Sequence, residues 1–182
     1  MIINPTTHPD PLSVIPLLYQ EASLKRYSCF LAGSIGGAAN WQVKFAKRIQ
    51  NLFIKNDCFI INPRRDSFPE QPTDEILQQQ IHWEITTINL PKSVIFYFDP
   101  KTKAPISLLE LGYVIGKRSN MTSFEGAPHN SIWSQQEIYV CCPQSFYRHN
   151  NVKYMCAYTN IPIFESLEML FRELSKNYFN IL

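Results

Sequence analysis

The stretch "SLLELG" at residues 107–112 sets one carboxylate, Glu110, among Leu108, Leu109, Leu111, Tyr113 and Val114. A carboxylate in such surroundings must be paired or must serve chemistry. Ser107 and Glu110 also have the S-x-x-E spacing of a helix capping box, which needs no function to explain it. Glu84, in "QIHWEIT", lies at the edge of an apolar stripe formed by Ile81, Ile85 and Ile88, and alone it reads as a solvated helix residue. Two carboxylates facing one pocket are the equipment for cleaving a glycosidic bond. One attacks or stabilises the sugar carbon, and the other manages the proton of the leaving group.

Two further stretches bear on a ligand. "FLAGSIGGAANWQ" (30–42) runs a hydrophobic strand into Gly33, Ser34, Gly36 and Gly37. It matches neither GxGxxG nor a Walker loop, so both nucleotide-phosphate fingerprints fail. It is either a tight turn or a floor on which a ligand lies against bare backbone, with Ile35 and Trp41 beside it as candidate contacts. In "NPRR", Asn62 bonds local backbone, Pro63 fixes the chain's exit, and Arg64 and Arg65 follow a strand. The pair is either solvated or salt-bridged, or it captures a phosphate or carboxylate or stacks on a base. His82, His129 and His149 share no metal-ligand spacing and read as non-catalytic; no metal or cofactor is expected.

These residues are placed by an alternation of strands and helices. "YSCFLA" (27–32), "CFIIN" (58–62), "SVIFYF" (93–98) and "EIYVCC" (137–142) are near-continuous apolar runs, as in parallel strands covered on both faces. Helical spacing joins Val43, Ala46, Ile49 and Phe53, then Leu77, Ile81, Ile85 and Ile88. A third helix covers about 107–117, and Leu167, Leu170, Phe171 and Leu174 mark the last. A fifth strand falls within 152–164. The fold class is therefore α/β, a doubly wound, mostly parallel five-stranded sheet with helices on both faces. Residues 1–25 read as an arm packed on a single domain of 26–182, and 117–136 as a long insertion, a lid or a disordered loop. In such sheets ligands sit beyond the carboxyl ends of the strands, where strand order reverses. The loops to watch are "GSIGGAAN", "PRRDSF" and "DPKTKAPIS".

Composition narrows the partners. At 182 residues with 45% apolar content the chain can bury a real core, and a net charge of +2 argues for no nucleic-acid partner. No apolar run reaches the roughly 18 residues that span a bilayer, and the start lacks the pattern of a signal peptide. Five cysteines without a CxxC read as buried, reduced thiols of a cytoplasmic protein.

"FLAGSI", "NPRR", "QIHWE" and "FYFDPKTKAPISLLELG", in that order, with the closing "VCCPQSFYRHNNVKYMCAY", resemble the nucleoside 2-deoxyribosyltransferase-like family. The resemblance runs from about residue 28 to 175 and implies a flavodoxin-like fold. It further implies exchange or hydrolysis of the N-glycosidic bond between a nucleobase and deoxyribose. By this resemblance Glu110 takes the nucleophile position and forms a glycosyl-enzyme, while Glu84 exchanges a proton with the base. Gly33 and Ser34 form the floor, and Ser107 stands near the sugar hydroxyls. Asn151, in the polar loop "RHNNVKY", reaches a neighbouring subunit's site, which implies a homo-oligomer with shared sites.

The chain departs from the family pattern in two places. Phe30 falls where well-studied transferases carry a tyrosine that orients the nucleophile, and Lys103 or Ala104 falls where they carry an aspartate. "FLAG" and "NPRR" mark a divergent branch whose substrates include nucleotides, with the phosphate on Arg64 and Arg65. The alternatives are a nucleotide or NAD glycohydrolase and a non-catalytic nucleotide-binding or sensing module, the latter favoured by Phe30 and the 117–136 insertion.

Overall fold

A computed structural model describes residues 1–17, 27–52, 58–123 and 136–179, with the side chains of 119–123 and 179 also outside the description. Six strands, β1 (Ile2–Ile3), β2 (Tyr27–Gly33), β3 (Cys58–Ile61), β4 (Ser93–Tyr97), β5 (Glu137–Cys141) and β6 (Ile163–Phe164), form a sheet of order β1-β3-β2-β4-β5-β6. The helices are α1 (Trp41–Leu52), α2 (Asp74–Ile88), α3 (Pro105–Ser123), α4 (His149–Tyr158) and α5 (Leu167–Phe179). The described pairings, β1–β3, β2–β3, β4–β5 and β5–β6, are all parallel. Without β1 the order is the flavodoxin-like one, and it reverses at β2 and β4.

The sheet has six strands where five are expected from the sequence. The extra one comes from the arm: Ile2 and Ile3 pair with Ile60 and Ile61, and Ile3 is fully buried. A two-residue strand carries too little periodicity to be seen in a sequence. The arm continues into a 3-10 turn at Pro11–Ser13, capped by Asp10, which accepts the Leu12 N–H at 2.9 Å. The expected fifth strand is β6.

The chain divides into two compact units, the first comprising Met1–Leu31 and Trp41–Pro91, the second Ala32–Asn40 and Lys92–Leu182. In the first unit, β3 and the Tyr27–Leu31 part of β2 are buried along their lengths. Helix α1 buries Trp41, Gln42, Phe45, Ala46 and Ile49, but not Val43; Phe53 lies outside the described residues. Helix α2 differs more from expectation. Leu77, Ile81 and Ile85 are 42%, 43% and 52% exposed, and the buried face is Gln80, Trp83, Thr87 and Ile88. Burying one indole removes more apolar area than burying one isoleucine, so Trp83 sets the helix's rotation. Its Nε1–H donates to the His8 carbonyl at 2.7 Å, which satisfies the one polar atom that burial would orphan.

In the second unit, β4 and β5 pair over five residues, and α5 packs on β5 and β6. Helix α3 runs from Pro105 to Ser123, longer at both ends than expected, so the first part of the proposed insertion is helical; 124–135 lie outside the described residues. Helix α4 occupies the segment read as a polar loop. Val152 and Cys156, one turn apart, are its only buried residues, too few to show as a stripe. It closes with Asn160 at φ 54°, the Ile161 N–H on the Cys156 carbonyl (2.8 Å) and the Asn160 N–H on that of Ala157 (3.3 Å). That is a Schellman ending, with asparagine in the left-handed position usually given to glycine. All five cysteines are buried and free. Burial pushes the Cys141 and Cys142 thiols up to about 12 and that of Cys156 to about 11, the condition of unreactive core thiols.

Candidate active site

The switch point lies in the second unit, where the loops after β2 and β4 are fastened together. The Ser34 N–H donates to the Tyr97 carbonyl at 2.8 Å, and the Asp99 N–H donates to Ser34 Oγ at 2.9 Å. Thr102 Oγ1 gives its proton to the Asp99 carbonyl at 3.0 Å, so in the 2.7 Å contact between the two hydroxyls Ser34 is the donor. Ser34, expected in the ligand floor, is buried and holds the loops in register.

The glycines divide by cause. A Cβ on Gly33, whose φ is +129°, would stand 2.2 Å from the Tyr97 carbonyl oxygen, so the close approach to β4 demands glycine. Gly37, at φ +76°, sits in a turn closed by the Ala38 N–H on the Ile35 carbonyl at 3.2 Å. Tight backbone geometry thus accounts for both. Gly36 meets nothing within 4 Å, and Ile35 is partly exposed.

Helix α3 follows directly. Ala104 precedes it at φ 43°, a left-handed conformation that costs an alanine on the order of 1–2 kcal/mol. Pro105 then takes the first helical position, where its missing N–H is harmless. Ser107 is therefore the third residue of the helix and not its cap, so the capping box is not formed. Ser107 is buried and Glu110, one turn on, is half-buried. Burial pushes the phenol of Tyr97, at the end of β4, up to about 12, so it keeps its proton at neutral pH. Asn151 lies in the first turn of α4, exposed, lining an open depression with Asn150, Tyr154, Met155 and Tyr158.

The first unit holds the remaining candidates. Asn62 is buried, and its Oδ1 accepts the Arg64 N–H at 3.1 Å, the local turn expected of it. An Arg64 Nη hydrogen points at Gln42 Oε1, 3.4 Å away. Gln42 is fully buried, and among the described residues its Nε2 has no hydrogen-bond partner. Arg65 donates through Nε to Gln80 Oε1 and lies over the Phe68 ring. Gln80 in turn donates through Nε2 to Glu84 Oε1 at 2.8 Å. Glu84 is no solvated helix residue: burial raises its carboxyl above the usual range, and the Gln80 hydrogen bond and the Arg65 charge offset this in part. Trp41 opens α1, buried edge-on against Phe45.

The structure thus brings Arg65 and Glu84 together through Gln80, and it sets Ser34 and the glycines beside the loop that leads to Ser107 and Glu110. Sequence reading missed Gln80, Gln42 and Thr102. Gln80 and Glu84 stand four residues apart on one helix, a spacing that could have revealed the pair. No group of three or more metal-ligating side chains occurs among the described residues, and none of their helices is long and apolar enough to cross a membrane.

An α/β domain of flavodoxin-like strand order, with its candidate nucleophile on the helix after the switch-point strand, defines the class. Residues 26–125 match the family model described as nucleoside 2-deoxyribosyltransferase like, and the chain belongs to that family. No curated protein matches the chain.

Proposed function

We propose that the protein cleaves the N-glycosidic bond of a nucleoside or nucleotide with retention, through a covalent sugar ester on Glu110. The observation that carries this reading is the position of Glu110. It is half-buried, inside a helix, six residues beyond Ala104 at the strained entry that follows the switch-point loop. A carboxylate oxygen of Glu110 bonds to the anomeric carbon as the carbon–nitrogen bond breaks, and that electron pair leaves with the base. Glu84, held by Gln80 and raised by burial, supplies the proton that the departing base needs. A second base then takes the sugar by transfer, or water takes it by hydrolysis; the acceptor's proton passes to the Glu84 carboxylate, and Glu110 leaves as the free carboxylate.

Arg64 and Arg65 bind an anionic group on the substrate, which favours a nucleotide; the Nε2 of buried Gln42, without a partner among the described residues, adds a donor beside Arg64. Asn151 and the exposed Tyr154, Met155 and Tyr158 form a face for a second copy of the chain. Light scattering that shows only monomer in a fully active sample would remove this last element.

Glu110→Gln tests the main reading. It is expected to keep fold and ligand binding while base release, followed by chromatography over a panel of nucleosides, nucleotides and NAD, falls on the order of a thousandfold or more. A 2-fluoro-2-deoxynucleoside is expected to add the mass of one fluorosugar to the peptide containing Glu110. Base release that survives in Glu110→Gln would falsify the assignment.

A further inference from the structure

Gln80 is a buried amide whose hydrogen-bonding groups are all engaged within one cluster of the first unit. Its Oε1 accepts the Arg65 Nε–H, and its Nε2 donates to the Pro63 carbonyl at 3.0 Å and to Glu84 Oε1 at 2.8 Å. Only one orientation of the amide works, because a guanidinium only donates and a peptide carbonyl only accepts. Turning it over would set donor against donor at Arg65 and acceptor against acceptor at Pro63.

We propose that Gln80 is a positioning residue that couples Arg65 to Glu84, so that the loop guanidinium sets how readily the Glu84 carboxyl holds its proton. Arg65 draws electron density onto Oε1, which strengthens the Nε2–H as a donor to the carboxylate. The same amide keeps the guanidinium beside α2. Both effects oppose burial, the largest influence on Glu84. Besides burial, the Gln80 hydrogen bond and the Arg65 charge are the influences that act on Glu84. Arg64 faces Gln42, Asp10 caps its own turn, and His8 meets Trp83 through its backbone carbonyl. An anion that draws Arg65 away from Gln80 therefore leaves Glu84 more readily protonated, the state required of an acid that serves a departing base. This consequence for turnover rests on the proposed role of Glu84, whereas the coupling itself does not.

The test is carboxyl NMR titration of Glu84 in the glutamate-labelled full chain, for the wild type, Gln80→Met, Arg65→Met and the double variant. Each single change is expected to move the Glu84 midpoint to higher pH, and the double change by less than the sum of the two. In turnover, the Glu84 limb of the kcat profile moves the same way in Gln80→Met, with KM for an uncharged nucleoside within about twofold of wild type. An unmoved midpoint in folded Gln80→Met, or shifts that simply add, overturns the coupling. Where Gln80→Met does not fold, the wild type decides: an Arg65 Nε–H resonance that stays still while Glu84 titrates overturns it equally. Coupling in a protein that releases no base overturns the proposed function alone. Absent coupling, with base release still dependent on Glu84, overturns this inference alone.

Discussion

At the ends of β2 and β4, Ser34, Thr102 and the Asp99 backbone close a chain of neutral hydrogen bonds, whereas beside α2 the amide of Gln80 joins a guanidinium to a carboxylate. The first network has its hydroxyl protons committed and no charge to tune. Its product is geometry: two loops held in register at the point from which α3 departs. The second contains a group whose proton affinity is set by opposing influences, burial against a hydrogen bond and a nearby charge. Small polar residues on the switch-point loop here hold backbone in register, a role that needs no ligand. A half-buried carboxylate, by contrast, stays tunable because burial and its hydrogen-bonding and charged neighbours act on it in opposite directions.

If the neutral region is pure geometry, its largest sensitivity lies in the backbone. Gly33→Ala forces a Cβ onto the Tyr97 carbonyl at a disallowed φ, and denaturant melts are expected to show a loss of about 3 kcal/mol or more. Gly37→Ala, with Thr102 Cγ2 at 3.8 Å, meets strain alone and should lose about 1 kcal/mol. Equal losses at the two positions would end the distinction between close approach and turn.

The charged region should instead respond through its ligand. Arg64→Ala and Arg65→Ala are each expected to weaken a nucleotide by on the order of 1.5–3 kcal/mol in calorimetry while sparing the matching nucleoside. Equal weakening of both ligands would take the phosphate away from this loop. Ser34→Ala removes the acceptor for the Asp99 N–H and should cost about 1–2 kcal/mol of stability. Combining it with Thr102→Val should cost less than the sum, since the two hydroxyls share one bond.

The smallest effect concerns pH. Glu84 is raised in the folded protein, so the native state holds its proton more tightly than the unfolded chain does. Its contribution is therefore fully present below the unfolded carboxyl value and is lost as pH rises through the folded one. Glu84→Gln should flatten that part of the stability profile, measured by melts across the acid range. A wild-type stability that instead climbs with pH there, relative to Glu84→Gln, would mean that the carboxylate is stabilised overall, reversing the contrast with the neutral network.

Much of this molecule is legible in its residues. The apolar runs at 27–32, 58–62, 93–98 and 137–142 are strands because only full burial on both faces tolerates such continuous hydrophobicity. The order of "FLAGSI", "NPRR", "QIHWE" and "LLELG" points to the family that the chain belongs to, and "NPRR" itself shows the turn made by Asn62. Tertiary structure decided the rest, because those outcomes compare alternatives that lie far apart in sequence. The rotation of α2 depends on whether Trp83 or the isoleucines find the deeper burial. The glycine at 33 answers to a carbonyl sixty-four residues away, at Tyr97. Local spacing determined which elements could form and which residues they carry. Which face is buried, which polar atom finds a partner and which carboxylate is kept from water follow from long-range packing, where those free energies are decided.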